Sequence, residues 1–158
     1  MMDERKDVFF DDGTYCKYKP MPSGEIRTSM ASVDGTKISI TKAPKWEIGE
    51  ALPWQPAHFH KGLIESYQLV SGWMRMVWIQ GCVCQTYLSD PGQTKVLPAG
   101  SPHVVLLGPG AEIITTSFGV PVPNPDKKGN DWWDADGYFY DQISNEFGFV
   151  EEVVLRMA

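Results

Sequence analysis

Along most of this chain apolar and polar residues alternate in short runs, and helical periodicity is nearly absent until the last residues. β-branched and aromatic side chains recur at every second position and are then cut off by glycine, proline or aspartate, the period of a strand with one face buried. The pattern predicts strands at Ile26 to Ala31, Lys37 to Ala43, Ala57 to His60, Ser66 to Val70, Trp73 to Ile79, Val83 to Leu88, Thr94 to Leu97, His103 to Leu107 and Ala111 to Phe118. Asp34-Gly35, Ser71-Gly72, Asp90-Pro91-Gly92, Pro98-Ala99-Gly100 and Gly108-Pro109-Gly110 supply the turns, since each offers a residue suited to positive φ or a preset φ. So many short strands in one small chain predict a closed or two-sheet all-β architecture, which leaves few open sheet edges.

Two segments depart from simple alternation. In W-M-R-M-V-W-I both alternating sets are largely apolar, Trp73/Val77/Ile79 on one side and Met74/Met76/Trp78 on the other, so this strand needs cover on both faces. The C-terminal segment or a second subunit would provide it, and a homodimer burying the outer face is expected. From Val120 the texture changes to a proline-rich connector, V-P-V-P-N-P-D-K-K-G-N-D-W-W-D, followed by an aromatic cluster at Trp132, Trp133, Tyr138, Phe139 and Tyr140. Asp141 to Met157 has the spacing of a short amphipathic helix presenting Ile143, Phe147, Val150 and Val154, although Gly148 counts against it.

Composition narrows the partners. The 158 residues are 42% hydrophobic and 22% charged, the range of one globular domain with a real core. A net charge of -6, with no basic run longer than Lys127-Lys128, argues against a nucleic-acid partner. The acidic, mixed-charge start offers no signal-peptide core and no window approaches a membrane span, so a cytoplasmic protein is expected. Three cysteines, Cys16, Cys82 and Cys84, are not a disulfide framework and agree with a reducing compartment. Cys82 and Cys84 share a strand face; two small buried residues are preferred there to a thiolate ligand pair.

The chemistry is concentrated in the three histidines. His58 and His60 lie two apart in H-F-H-K-G-L-I-E, so on a strand both imidazoles enter one pocket while Phe59 faces away. Gly62 permits a bend that brings Glu65 on the next strand beside them, and the Pro98/Gly100 turn delivers His103 from another strand. Three imidazoles and a carboxylate suit a divalent first-row ion such as Mn, Fe, Co, Ni or Zn. If Glu65 points inward, so do Tyr67 and Leu69, which makes Tyr67 the candidate proton donor or orienting hydroxyl, weighed against an ordinary core tyrosine.

At these residues the chain resembles the cupin superfamily. His58, His60, Glu65 and Gly72 match its first motif, and Gly92, Pro98, Gly100 and His103 its second. Leu52 replaces a glycine often found before the first histidine, and Leu107 replaces the asparagine after the last. The resemblance implies an all-β cupin double-stranded β-helix, a jelly-roll-like β-barrel over about residues 26–120, with residues 121–158 as a C-terminal extension of one 1–158 domain. It also implies one divalent metal held by His58, His60, Glu65 and His103. Fold does not settle the reaction. A metal-dependent isomerase or epimerase acting on a sugar or hydroxy-carbonyl compound is the leading reading. An Fe(II) dioxygenase is the second. A non-catalytic metal or ligand-binding module is the third, favoured if Met74 or Met76 blocks the open metal positions. G-N-D-W-W-D is weakly similar to the tails of small sugar-pathway cupins, its tryptophans either stacking on a sugar or anchoring the tail.

Overall fold

The computed structural model describes residues 7–12, 14–21, 24–31, 36–47 and 54–147. Within them the strands are β1 (Val8–Phe9), β2 (Tyr15–Pro20), β3 (Ile26–Ala31), β4 (Lys37–Lys42), β5 (His58–Phe59), β6 (Leu63–Ser71), β7 (Met74–Gln80), β8 (Cys82–Leu88), β9 (Thr94–Leu97), β10 (His103–Leu107), β11 (Glu112–Gly119) and β12 (Trp133–Asp134). One helix, α1 (Asp136–Phe147), follows them. The strands form two antiparallel sheets, a seven-stranded one ordered β1-β2-β3-β4-β11-β6-β9 and a five-stranded one ordered β12-β5-β10-β7-β8. This is a jelly roll of the cupin type, as the alternation and the motifs led us to expect.

All nine expected strands are present, three of them with the expected bounds and the others shifted by a few residues at one or both ends. β1 is two residues long and β2 carries two lysines and a terminal proline in Y-C-K-Y-K-P, so neither has a strong strand signal, and β12 lies in the proline-rich segment whose composition predicts a connector. The helix begins at Asp136 rather than Asp141. Its expected positions Gly148, Val150 and Val154, and also Leu52 and the Asp34-Gly35 turn, lie outside the described residues.

Between the sheets the core is built from Tyr67, Leu69, Leu97 and Ile113 on one side and Met74, Met76, Trp78, Val105 and Leu107 on the other. A second cluster lies outside the five-stranded sheet, where Phe139 and Ile143 of α1 pack on Ala57, Val77, Ile79 and Val104. The outer face of β7 is therefore covered by the C-terminal segment of the same chain. β10 is buried along its whole length for the same reason, and reads as H-V-V-L-L without alternation because it has core on both sides. Burying Phe139 and Ile143, both fully inaccessible, contributes about 1.5–3 kcal/mol apiece toward holding α1 in place.

On the seven-stranded sheet the polar set, not the apolar one, faces inward at β4. Ser39 and Thr41 are buried while Ile38 and Ile40 are each 37% exposed. Ser39 pairs with Ser29 of β3 at 2.9 Å, and Arg27 Nε donates to Thr41 Oγ1 at 3.2 Å, so this wall of the barrel is hydrogen-bonded instead of greasy.

Candidate metal centre

His58 and His103 are direct cross-strand partners on β5 and β10, and the same row continues to Trp78 on β7. Residues paired across a ladder share a face, so both imidazoles enter the barrel. Glu65 faces them from β6 of the opposite sheet, beside Ser117 of β11. His60 follows β5 directly, and its carbonyl accepts the Gly100 N–H at 2.6 Å, which ties the turn before His103 to the first histidine pair. The sequence places Gly62 at a bend for its freedom; the structure shows close approach as the constraint, because a Cβ there would sit 1.8 Å from the Val120 carbonyl oxygen.

The four side chains converge. One donor atom from each of His58, His60, Glu65 and His103 lies within 4.8 Å of all the others. Each imidazole is oriented by a backbone carbonyl: His58 Nδ1 meets Pro56 O at 2.9 Å, His103 Nδ1 meets Ser101 O at 2.9 Å, and His60 Nδ1 meets Asp131 O. A carbonyl only accepts, so every Nδ1 carries the proton and every Nε2 presents a lone pair to the centre. Second partners of this kind are what fix the tautomer of a metal-binding histidine.

The remaining contacts have the same logic. His60 Nε2 lies 2.7 Å from Glu65 Oε1, yet it is buried without an aligned hydrogen-bond partner. Two acceptor atoms this close, both out of line for a bond to each other, fit an ion between them. Tyr67 donates its hydroxyl to Glu65 Oε1 at 2.7 Å and lies 3.2 Å from His103 Nε2. Ser117 Oγ donates to Glu65 Oε2 at 3.3 Å.

Electrostatics keep His58, His103 and Glu65 in the states a metal requires, whereas His60 shares its inner edge with the Glu65 carboxylate, so a bound cation there would take the place of a proton. Burial pushes His58 well below the usual imidazole range, helped by His103 and His60, and burial likewise lowers His103. His60 is also penalised by burial, but the Glu65 carboxylate outweighs this and raises it. Burial alone would raise Glu65; His60, His103 and Tyr67 overcome it and hold the carboxyl well below the carboxylate range. Tyr67 is pushed up by burial and by Glu65, so its phenol stays protonated. The donor set therefore fits one divalent transition metal: three neutral nitrogens and one carboxylate oxygen.

Two features of the site depend on contacts distant in sequence, the role of Asp131, which had no signal, and the placement of the tryptophans that the aromatic cluster flagged. Asp131 lies 71 positions after His60, yet its carbonyl orients that histidine while its carboxylate accepts the N–H groups of Lys61, Gly62 and Val122. Trp132 stacks flat on the His58 ring, with centroids 3.5 Å apart and planes at 8°. Trp133 donates its indole N–H to Asp131 at 3.0 Å, and Lys61 Nζ lies 3.4 Å from its ring centroid. Both tryptophans thus anchor the tail onto the metal centre. Cys82 and Cys84 do share a face, with sulfurs 3.8 Å apart, but Cys82 is exposed and Cys84 half-buried, which corrects the expectation of two buried residues. Their place at the end of the β7–β8 hairpin, next to the turn at Gly81, explains the exposure.

A cleft of about 610 Å³ lies on the Phe59 side of β5, lined also by Pro98, Ser101 and Tyr138. It holds one carboxylate, Asp134, which is paired with Lys127 at 3.3 Å. The chemistry is inside the barrel, away from this cleft. Met74 and Met76 belong to the core cluster on the inner face of the same sheet.

No family model matches the chain, and none of the curated proteins does. Among solved structures it is similar to KdgF from Halomonas sp., with 18% identity and a TM-score of 0.53 over 66% of this chain and 86% of that one. It is also similar to CapF, the capsular polysaccharide assembling protein of Staphylococcus aureus, with 15% identity and a TM-score of 0.56 over 75% of this chain and 32% of that one. A variant of oxalate decarboxylase from Bacillus subtilis matches at 14% identity and a TM-score of 0.58, covering 100% of this chain and 41% of the other. This chain thus spans well under two thirds of the last two proteins, and at these identities the likeness is one of fold. Among the described residues no helix is long and apolar enough to cross a membrane.

Proposed function

We propose that this cupin-fold protein is a metal-dependent enzyme acting on a small polar substrate, and that it isomerises or epimerises a sugar or hydroxy-carbonyl compound. The observation that carries the reading is the tautomer lock: three backbone carbonyls hold the Nδ1 of three imidazoles and turn each Nε2 inward, converging with Glu65. A divalent ion bound there supplies Lewis acidity toward adjacent substrate oxygens. Glu65 is kept ionised by its neighbours, and Ser117 and Tyr67 fix its two oxygens. Tyr67 keeps its proton and sits at the centre, so it serves as the donor or orienting hydroxyl for an oxygen that gains charge. Trp132 closes one side of His58 and limits water there. Structures of similar fold include a capsular polysaccharide assembling protein and an oxalate decarboxylase, names that agree with oxygen-rich substrates.

The test is elemental analysis of the purified protein and of His60→Ala, followed by incubation of the metal-loaded protein with aldoses and hydroxy acids in D2O. One ion per chain, lost in the variant, and deuterium entering a carbon next to a carbonyl are expected. Full metal content in His60→Ala removes the centre, and O2 consumption without exchange moves the reaction to the dioxygenase class. A cytoplasmic homodimer is part of this proposal, with its contact moved to the outer face of the seven-stranded sheet, where Met30, Ile38, Ile40 and Val96 are exposed. A monomer in light scattering at micromolar concentration removes that part.

A further inference from the structure

The inner face of the seven-stranded sheet is cationic in an acidic protein. Cross-strand pairing puts Lys37 in one row with Ser117 and Glu65, so the lysine faces the same interior as the metal ligand. The next rows on that face contain Lys17, Ser29, Ser39, Thr115, Tyr67 and Lys95, then Lys19, Arg27 and Thr41. Five basic side chains therefore share this face, and among the described residues the carboxylates that act on Lys37 and Tyr67 there are Glu65 and Glu25. Glu65 belongs to the metal set, and Glu25 is bound by Gln55 Nε2 at 2.9 Å. The net charge of the whole chain is -6, so this concentration of positive charge is local and oriented.

Lys37 is the residue at which the arrangement makes a demand. It is half-buried, and among the described residues no carboxylate comes within ion-pair distance of its ammonium. Burial depresses it first, and then Arg27, with Glu65 opposing and Lys19 and Lys17 adding to the repulsion. A desolvated ammonium among like charges is costly to the fold and is expected where it meets a ligand. Arg27 donates Nε to Thr41, and its planar fork carries further N–H donors suited to an oxyanion. Lys37 and Glu65 are two strands apart, roughly 10 Å between backbones, a span that one small molecule bridges from the metal to the lysine.

We infer that the substrate is an anion, a small polyhydroxy compound bearing a carboxylate or phosphate, whose charged group is received by Lys37 and Arg27 while its hydroxyl or carbonyl end faces the metal centre. This rests on the metal-enzyme reading and names its substrate class. Exposed Lys17 and Lys19 at the rim of the wall draw the anion inward.

The experiment is calorimetric titration of wild-type protein, Lys37→Met and Lys37→Arg with gluconate, sorbitol 6-phosphate and sorbitol, before and after chelator treatment, with metal content measured alongside. At least one anion is expected to bind at least about tenfold more tightly than sorbitol, with affinity falling as NaCl is added. Lys37→Met should lose about tenfold in that affinity, whereas Lys37→Arg stays within about threefold. Which anion prevails tells carboxylate from phosphate. Thermal melting checks the fold, and Lys37→Met should melt at or above the wild-type temperature because it removes an uncompensated charge. Sorbitol binding as well as the anions, no saturable binding of either anion, or an unchanged affinity in a folded Lys37→Met overturns the inference. Lys37-dependent anion binding by a protein that holds no ion leaves the inference standing and removes the metal-enzyme reading; one ion per chain with Lys37-independent binding does the reverse.

Discussion

Replacing Asp131 with asparagine separates the two jobs that the residue does. The residue is 5% exposed and its carboxylate uses both oxygens: Oδ1 accepts from Lys61 N at 2.8 Å and Trp133 Nε1 at 3.0 Å, and Oδ2 from Gly62 N at 2.8 Å and Val122 N at 3.0 Å. Asparagine has almost the same shape but only one acceptor oxygen. Whichever way the amide turns, two of the four donors face an NH2 group and lose their partner. Hydrogen bonds to a charged group contribute about 1.5–3 kcal/mol each, so the loss should be about 3–6 kcal/mol. For a chain of this size that lowers the melting temperature by roughly 6–24 °C. The Asp131 carbonyl, which orients His60, then moves with its loop, and metal affinity should fall about 10- to 100-fold. Urea unfolding in the presence of chelator reads the first effect free of ligand linkage, and competition with a chelating dye reads the second. A loss below about 1 kcal/mol together with unchanged metal affinity would refute the view that this carboxylate holds the metal loop.

Three other outcomes follow from the same geometry. Gly62→Ala forces a Cβ to within 1.8 Å of the Val120 carbonyl oxygen, so the protein should lose about 1–3 kcal/mol by urea unfolding; an unperturbed midpoint would contradict the close approach. Phe139→Ala empties a fully buried position under α1 and should cost about 3–5 kcal/mol in urea, with the metal centre on the inner face of the sheet still able to bind. Glu25, 2% exposed, is raised by burial more than Gln55 and Arg27 lower it, so the folded state holds its proton more tightly than the unfolded chain does. Stability should then fall as pH rises from about 4 toward the raised folded value, and Glu25→Gln should gain on wild type over that interval. Parallel pH profiles of the urea midpoints in the two proteins would count against this.

Much of the centre was legible because its donors are local in sequence. His58 and His60 are two apart, Glu65 follows across one bend, and the Pro98/Gly100 turn precedes His103, so strand periodicity puts the two histidines on one face and the resemblance to the cupin motifs joins all four into one set. The β7 strand is a second legible case: apolar residues on both alternating sets announced two-sided cover, which α1 provides. Legibility stopped where a partner is distant or where two faces are equally plausible. The alternation K-I-S-I-T-K defines two faces of β4 and says nothing of which is inside; the hydrophobic rule would bury Ile38 and Ile40, and the chain buries Ser39 and Thr41.

The amino-acid order by itself determined nine of the strands, most of the turns between them and the donor set, because each depends on spacings of a few residues along an extended backbone. Only the tertiary structure decided the protonation pattern of the histidines, the role of Asp131, the stacking of Trp132 on His58 and the inward cationic wall that contains Lys37. The reason is physical: a tautomer is set by whichever acceptor lies behind the ring, and an ammonium's cost by whichever charges surround it. Those neighbours arrive from other strands and from the C-terminal segment, so no local pattern encodes them.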